Sequence, residues 1–318
     1  MDAIVYSLES RDFTEMEHAL SAWDHRYRQT SPGRFHGGLL HTQVGSLGIF
    51  RNRWERAIHY GGVAPEGTVA LALTLAQSGE GRWNGQRTGH DDVIVTGCST
   101  EGEYLSAPLW DSVVMAIPET ELAQQIADLT HDDPRGFIAQ GIARFTPQAA
   151  AQVRQAARTY LDASVRALVR PDAKSLLPEI APHLVELIAH ALVSAQPRLP
   201  QKQSLKRQRE LIRNAEDYCA DNKDQPLRIG QLCSDLDVSE RSMRDAFYKT
   251  VGMNPLAYLK AEQLNRVYRR LRHADPAETM VKQIAYENGF RHIGQFSQDY
   301  KHLFGELPSE TLQLAKSV

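Results

Sequence analysis

From Gly38 to Pro118 the apolar residues come in short runs broken by Gly, Asn and Asp, as in LLHTQVGSLGIF, TVALALTLA and DDVIVTG. Runs of this length bounded by turn formers predict strands. WNGQ, Trp83–Gln86, sets Asn-Gly between two such runs, and that dipeptide suits the positive φ angles of a type I′ hairpin turn. A small β-barrel or sandwich is expected. Between Pro147 and Ala195 the pattern becomes helical: Val153, Ala157, Tyr160, Leu161, Val165 and Leu168 recur at three- and four-residue steps, as do Leu184, Leu187, Ile188 and Leu192. AQPRLPQKQ, Ala195–Gln203, then interrupts the period with two prolines and polar residues, which predicts a linker.

The last third is helical and repeats itself. SLKRQRELIRNAEDYCADN predicts one helix, and RIGQLCSDLDVSERSMRDAFYKTVG a helix, a turn and a second helix, with Ser239 placed to cap the second. MVKQIAYENGFRHIGQFSQDYKHLFG follows the same scheme, with Ile284 and Ala285 standing for Leu232 and Cys233, Gly289 for Asp237, Phe290 for Val238 and Phe296 for Met243. Each copy ends in an aromatic, an apolar residue, Gly and Pro: Phe247, Val251, Gly252, Pro255, and 53 residues on, Tyr300, Phe304, Gly305, Pro308. The small residue at Cys233 and Ala285 suits two helices crossing steeply, so Cys233 reads as a packing residue rather than a reactive thiol. Between the copies, NPLAYLKAEQLNRVYRRLRHA predicts one helix capped by Asn254, with Pro255 in its first turn and Leu256, Leu259, Leu264, Val267 and Leu271 on its apolar side. At 1.5 Å per residue, about 18 residues make a rod of ~27 Å, near the ~34 Å of one DNA turn. A rod of that size can hold two helices in successive major grooves.

On these residues the segment Leu205–Leu314 resembles the DNA-binding domain of AraC/XylS-type transcription regulators, including the ending GF…F…Y…FGELPSETL. The resemblance implies that the second helix of each copy reads bases, that the middle helix fixes their separation, and that Gly-x-x-Pro ends each recognition helix. Carried across residue by residue, it assigns DNA contacts to Arg241, Arg244 and Asp245 in the first head and to Gln295 and Gln298 in the second, with Gly294 offering no side chain. Arg suits guanine and Gln adenine, while Asp245 either accepts from cytosine or orients Arg241. The departures are Asp237 where the first turn often has Gly, Tyr300 where Phe is usual, and a weakly basic second head, which makes affinity depend on dimerisation. The front half is similar to the cupin-like sensor domains that precede such DNA-binding domains. The expected class is therefore α+β: 1–195 a cupin-like β-barrel or sandwich with trailing helices, 196–204 a linker, and 205–318 an all-α domain with two helix-turn-helix motifs.

Composition narrows the function. At 318 residues the chain exceeds the usual ~100–200 per domain, which favours two domains. A net charge of −3 does not suggest a nucleic-acid binder, but from Gln201 onward there are 19 Lys and Arg against 16 Asp and Glu, leaving 17 against 23 in front. Phosphate binding then belongs to the tail alone. The longest apolar run, Val69–Ala76, falls short of the ~20 residues of a membrane span, and MDAIVYSLESRDF has no leader pattern. Three cysteines without close spacing argue against disulfides and zinc, so a reduced cytoplasm is expected. His36, His41, His59 and His90 lack the spacing of a cupin metal site, and neither a metal nor another cofactor is expected.

Small barrels enclose ligand cavities, and Trp54, Tyr60, Trp83, Tyr104 and Trp110 are the candidates to line one for a small organic effector. Arg51, Arg53 and Arg56 are then candidates to bind its carboxylate or phosphate; otherwise the aromatics are core and the arginines solvated. The helices at Pro147–Val169 and Leu184–Val193 are expected to pair with those of a second subunit. The function expected is a cytoplasmic, homodimeric, sequence-specific regulator of double-stranded DNA that covers two adjacent major-groove sub-sites per subunit, responds to a small molecule and engages RNA polymerase. The alternatives are a regulator without ligand, controlled by a partner protein, and a cupin-type enzyme with a DNA-targeting tail. Against the enzyme stand the missing metal pattern and the absence of Gly-x-Ser-x-Gly or a phosphate loop.

Overall fold

In the strand Thr68–Ser78, Val69, Leu71 and Leu73 are buried on one face while Ala70 and Ala72 occupy the other, where their small side chains leave room. That alternation organises the front half. The computed structural model describes residues 3–98, 101–196, 203–223 and 227–315. Its front elements are β1 (Ala3–Ser10), α1 (Phe13–His18), β2 (Asp24–Gln29), β3 (Gly37–Val44), β4 (Leu47–Trp54), β5 (Ile58–Val63), β6 (Thr68–Ser78), β7 (Gly81–Trp83), β8 (Gln86–Thr88), β9 (Asp92–Gly97), β10 (Gly102–Leu105), β11 (Leu109–Pro118), α2 (Glu119–Thr130), α3 (Arg135–Ile138), β12 (Gly141–Arg144), α4 (Pro147–Val169) and α5 (Leu176–Val193). Two antiparallel sheets result, one ordered β1-β3-β4-β11-β6-β9-β12 and one β2-β5-β10-β7-β8. The expected hairpin is present: Trp83 pairs with Gln86, and Asn84 and Gly85 take φ of 50° and 79°. The strands begin earlier than the sequence suggests, because β1 and β2 precede Gly38 and carry mixed polar residues on faces that still pair.

The seven-stranded sheet turns Val69, Leu71, Leu73, Val93, Val95, Val113 and Met115 toward α2, α4 and α5, forming one core with Val153, Ala157, Tyr160, Leu184 and Ile188. Thr146 caps α4 through its side chain, with Pro147 in the first turn. Val165 and Leu168, expected on the apolar face of α4, are exposed, and so are Val169 and Leu176. Leu187 instead packs against the core. The segment Pro171–Val193 has a mean hydropathy of 1.4 and is long and apolar enough to cross a membrane, yet Leu177, Ala181, Leu184 and Val185 are buried in this core.

The back half comprises α6 (Gln203–Asp221), α7 (Ile229–Asp235), α8 (Glu240–Thr250), α9 (Pro255–Arg272), α10 (Val281–Glu287), α11 (Ile293–Phe304) and α12 (Pro308–Gln313). The linker expected at 196–204 falls mainly on 197–202, outside the described residues. Helix α9 lies against β2 along its length. Gln29 N donates to Asn265 Oδ1 and Asn265 Nδ2 returns a bond to Gln29 O, both at 2.8 Å, so an amide side chain pairs with the strand edge as a backbone would.

Candidate functional site

The repeated punctuation has a structural cause. Gly252 and Gly305 both take φ of 70° immediately after α8 and α11, the left-handed cap that glycine adopts without steric cost. At Gly305 a Cβ would also meet the Arg34 backbone nitrogen at 2.5 Å. The turns within each motif match as well, with φ of 51° at Asp237 and 86° at Gly289; Asp is among the few residues that tolerate this region. Cys233 and Ala285 are buried at the helix contacts, and burial pushes the Cys233 thiol pKa up, as befits a packing residue. Ser239 accepts from Ser242 N at 3.1 Å, capping α8.

Buried Met243, Ala246 and Phe247 fix one face of α8, which leaves Arg241, Arg244 and Asp245 exposed on the other. On α11, Phe296, Tyr300, Leu303 and Phe304 are buried, and Gln295 and Gln298 are exposed. Asp245 lies 3.7 Å from Lys249, one turn on, and Gln295 donates to Asp299 at 3.1 Å. No ion pair holds Arg241 or Arg244 among the described residues. Helix α9 runs unbroken between the heads, with Asn254 accepting from Leu256 N at 2.9 Å and Pro255 in its first turn. Leu259, Leu264, Val267 and Leu271 are buried as expected, whereas Leu256 is exposed.

All five candidate aromatics, Trp54, Tyr60, Trp83, Tyr104 and Trp110, line a single cavity of about 60 Å³ between the two sheets. The sequence reading missed Trp23, His25, Tyr27, Phe50 and Asn52, which share it; alternation in DHRYRQ was the available signal for His25 and Tyr27. Trp54 stacks obliquely on Trp110 at 4.7 Å, and Tyr104 lies 5.1 Å from Trp110. Burial raises the pKa of Tyr27, Tyr60 and Tyr104 and lowers that of His25, so the lining stays uncharged near neutral pH.

Of the two readings of Arg51, Arg53 and Arg56, the one that sets them outside the cavity fits. Arg51 and Arg53 alternate with Phe50, Asn52 and Trp54 along β4, so they face away from the cavity. Arg51 pairs with Asp111 at 2.6 Å, Arg53 with Glu9 at 3.0 Å, and Arg56 donates to the Glu55 carbonyl.

The outer face of the five-stranded sheet carries a different chemistry. Arg28 is shared by Glu216 and Glu262, each at 3.1 Å, and the Tyr258 hydroxyl donates to Glu216 at 2.6 Å while lying 2.7 Å from His59 Nδ1. Burial raises the Glu216 carboxyl to about 7 and lowers His59 to about 4. Arg209 and Arg213 meet Glu103 at 3.4 and 3.3 Å, and Arg82 donates to the Lys249 carbonyl at 2.8 Å. Cavity and reading half therefore sit on opposite faces of one thin sheet.

Residues 232–314 match the family described as a helix-turn-helix domain. The chain is 32% identical over 155 residues to the probable thc operon regulatory protein of Rhodococcus erythropolis, which covers 45% of this chain and 44% of that protein. It is 23% identical over 335 residues to the XylDLEGF operon transcriptional activator of Pseudomonas putida, covering 99% of each. Among solved structures it is similar to the AraC-like transcriptional activator CuxR (TM-score 0.45, 14% identity, 84% of this chain and 96% of that one) and to ToxT from Vibrio cholerae (TM-score 0.32, 9% identity, 100% of each). A double helix-turn-helix mounted on an antiparallel two-sheet domain defines a DNA-binding transcription regulator. Residues 232–314 carry that helix-turn-helix domain, and over nearly its whole length the chain is similar to an operon transcriptional activator.

Proposed function

We propose that this regulator is switched by a small organic molecule seated in the aromatic cavity, and that the switch acts on how firmly the five-stranded sheet holds the two reading helices. One observation carries the reading. His25, Tyr27, Tyr60, Trp83 and Tyr104 line the cavity, and the residues alternating with them, Arg28, His59, Arg82 and Glu103, contact α6, α8 and α9. A molecule that displaces the inner set must move the outer set, because a strand has no slack between its two faces. In this reading Arg241, Arg244, Asp245, Gln295 and Gln298 contact double-stranded DNA at two adjacent major-groove sub-sites. The regulator works in the cytoplasm as a homodimer through α4 and α5, where Val165, Val169 and Leu176 lie exposed, and it engages RNA polymerase rather than catalysing a reaction.

Filling the cavity from within tests the coupling. Ala72 lines it, and Ala72→Phe places a ring in the space an effector would take. On a DNA site selected from a random pool, the expected result is an affinity changed by at least about fivefold with both heads intact. Unchanged DNA affinity in a folded variant that no longer admits a ligand would overturn it.

A further inference from the structure

We infer that the cavity takes an uncharged, flat aromatic molecule built around a single ring, and that it turns away carboxylates and phosphates. The inference rests on the effector reading above and adds the class of ligand. A cavity of about 60 Å³ has room for roughly four to six waters at ~10–15 Å³ each, or about one ring's atoms. Its lining is mostly aromatic, with the small Ala70 and Ala72 on β6 beside the rings, a lining that a planar ring meets by stacking or edge contact.

Among the described residues, no Lys, Arg, Asp or Glu lines the cavity. The cations nearest along the chain lie outside it: Arg51 pairs with Asp111, Arg53 with Glu9 and Arg28 with Glu216 and Glu262, Arg82 donates to the Lys249 carbonyl, and Arg26 is exposed. An anion placed among these rings would lose its hydration and find no counter-charge, the costliest burial a ligand can make. Polarity is not absent, however. Asn52 Oδ1, the indole N–H groups of Trp83 and Trp110, His25 Nε2, Thr96 Oγ1 and the Tyr104 hydroxyl belong to lining residues, are buried, and have no hydrogen-bond partner among the described residues. A buried N–H without an acceptor is uncommon, and a ligand acceptor would satisfy it. An aryl alcohol, whose hydroxyl accepts from an indole N–H such as that of Trp83 and donates to an acceptor such as Asn52 Oδ1, satisfies two of these groups without bringing a charge.

Calorimetric titration of the full-length protein with benzyl alcohol and with benzoate, two molecules of near-equal size, separates the possibilities. Saturable binding of the alcohol is expected, lost in Ala72→Phe and weakened about tenfold in Trp83→Phe, the worth of one hydrogen bond. A carboxylic acid with a pKa near ~4 is only ~0.1% neutral at pH 7, so benzoate should bind about a thousandfold more weakly than its neutral form and gain about tenfold between pH 7 and pH 6. Benzoate binding as tightly as the alcohol at pH 7, without that pH dependence, would overturn the ligand class while leaving the effector reading in place. Absence of binding by the alcohol would also overturn the class. The effect of Ala72→Phe on DNA affinity then decides separately whether the effector reading falls with it.

Discussion

The two reading heads are near copies in sequence but are joined to the sensor half in different ways. The first head, α7 and α8 with α6 and the start of α9, has its own core of Ile212, Leu232, Met243, Phe247 and Leu259, and the sensor contributes to it through the partly buried Leu105. Its other ties are polar side chains: Arg82 on the Lys249 carbonyl, Arg209 and Arg213 on Glu103, Arg28 on Glu216 and Glu262, and Tyr258 beside His59. The second head shares one continuous core with the sensor, in which Phe13 stacks on Tyr268 at 4.9 Å and on Phe304 at 6.4 Å. The end of α11 is capped by buried sensor donors, Gln29 Nε2 at 2.6 Å and Gly33 N at 3.0 Å from Leu303 O. Apolar burial holds whatever the ligand state, whereas partly exposed ion pairs are individually weak. The second head is therefore the anchor, and the first is where a small change in the sheet can be felt.

The largest effect should come from attacking the anchor. Phe13→Ala removes a fully buried ring and should cost about 3–5 kcal/mol in denaturant unfolding. Leu105→Ala, at the sensor's contact with the first head, should cost under about 2 kcal/mol. Equal costs would abolish the distinction between an anchored and a lightly held head.

A smaller effect is expected on DNA. Arg244→Ala should weaken binding by about 1–3 kcal/mol, the range for a good base contact, and Gln298→Ala by less, since one neutral amide replaces a charged fork. Because α9 is unbroken from Pro255 to Arg272, inserting ~5 base pairs between the sub-sites turns one away by roughly half a helical turn. After the insertion Gln298→Ala should cause no further loss, while Arg244→Ala still should. Affinity that ignores the insertion, measured by gel shift at fixed salt, would mean that the second copy serves only as anchor.

What was legible beforehand follows the range of the forces involved. The heads are local: caps, positive-φ turns and apolar steps at Ser239, Gly252, Asn254 and Gly305 each act within a few residues, so the sequence displays them. The gathering of Trp54, Tyr60, Trp83, Tyr104 and Trp110 followed from strand alternation, and the same alternation, applied to β4, would have turned Arg51 and Arg53 outward. The seam between the halves was not legible. Asn265 meets Gln29 and Tyr258 meets His59 across some two hundred residues, and nothing in a polar residue names a distant partner.

The smallest expected effect concerns protons at the first head's side of that seam, where Arg28, His59, Glu103, Tyr258 and Glu262 face Glu216. Glu216 titrates near about 7 when docked, against an ordinary value of 4.5, with burial as the leading cause. Its docked form thus holds a proton that the undocked form releases, so its contribution is complete below 4.5 and is lost as pH rises through about 7. His59 has the opposite sign: lowered to about 4 from 6.5, it favours docking above 6.5 and loses that contribution on acidification. The two oppose each other, and between pH 6.5 and 7.5 the loss at Glu216 outweighs the remaining gain as undocked His59 gives up its proton. Between pH 6.5 and 7.5 a roughly threefold loss at Glu216 is partly offset by a roughly twofold gain at His59, so docking of α6 and α9 on the sheet should weaken by less than about twofold. Amide hydrogen exchange in β2 and α9, corrected for the intrinsic rate, reads this directly. Glu216→Gln, which keeps an acceptor for Tyr258 but cannot ionise, should turn the decline into a slight rise from His59 and leave the anchor around Phe13 untouched. A profile that still declines in the variant would assign the proton to another group and remove the charged seam from the switch.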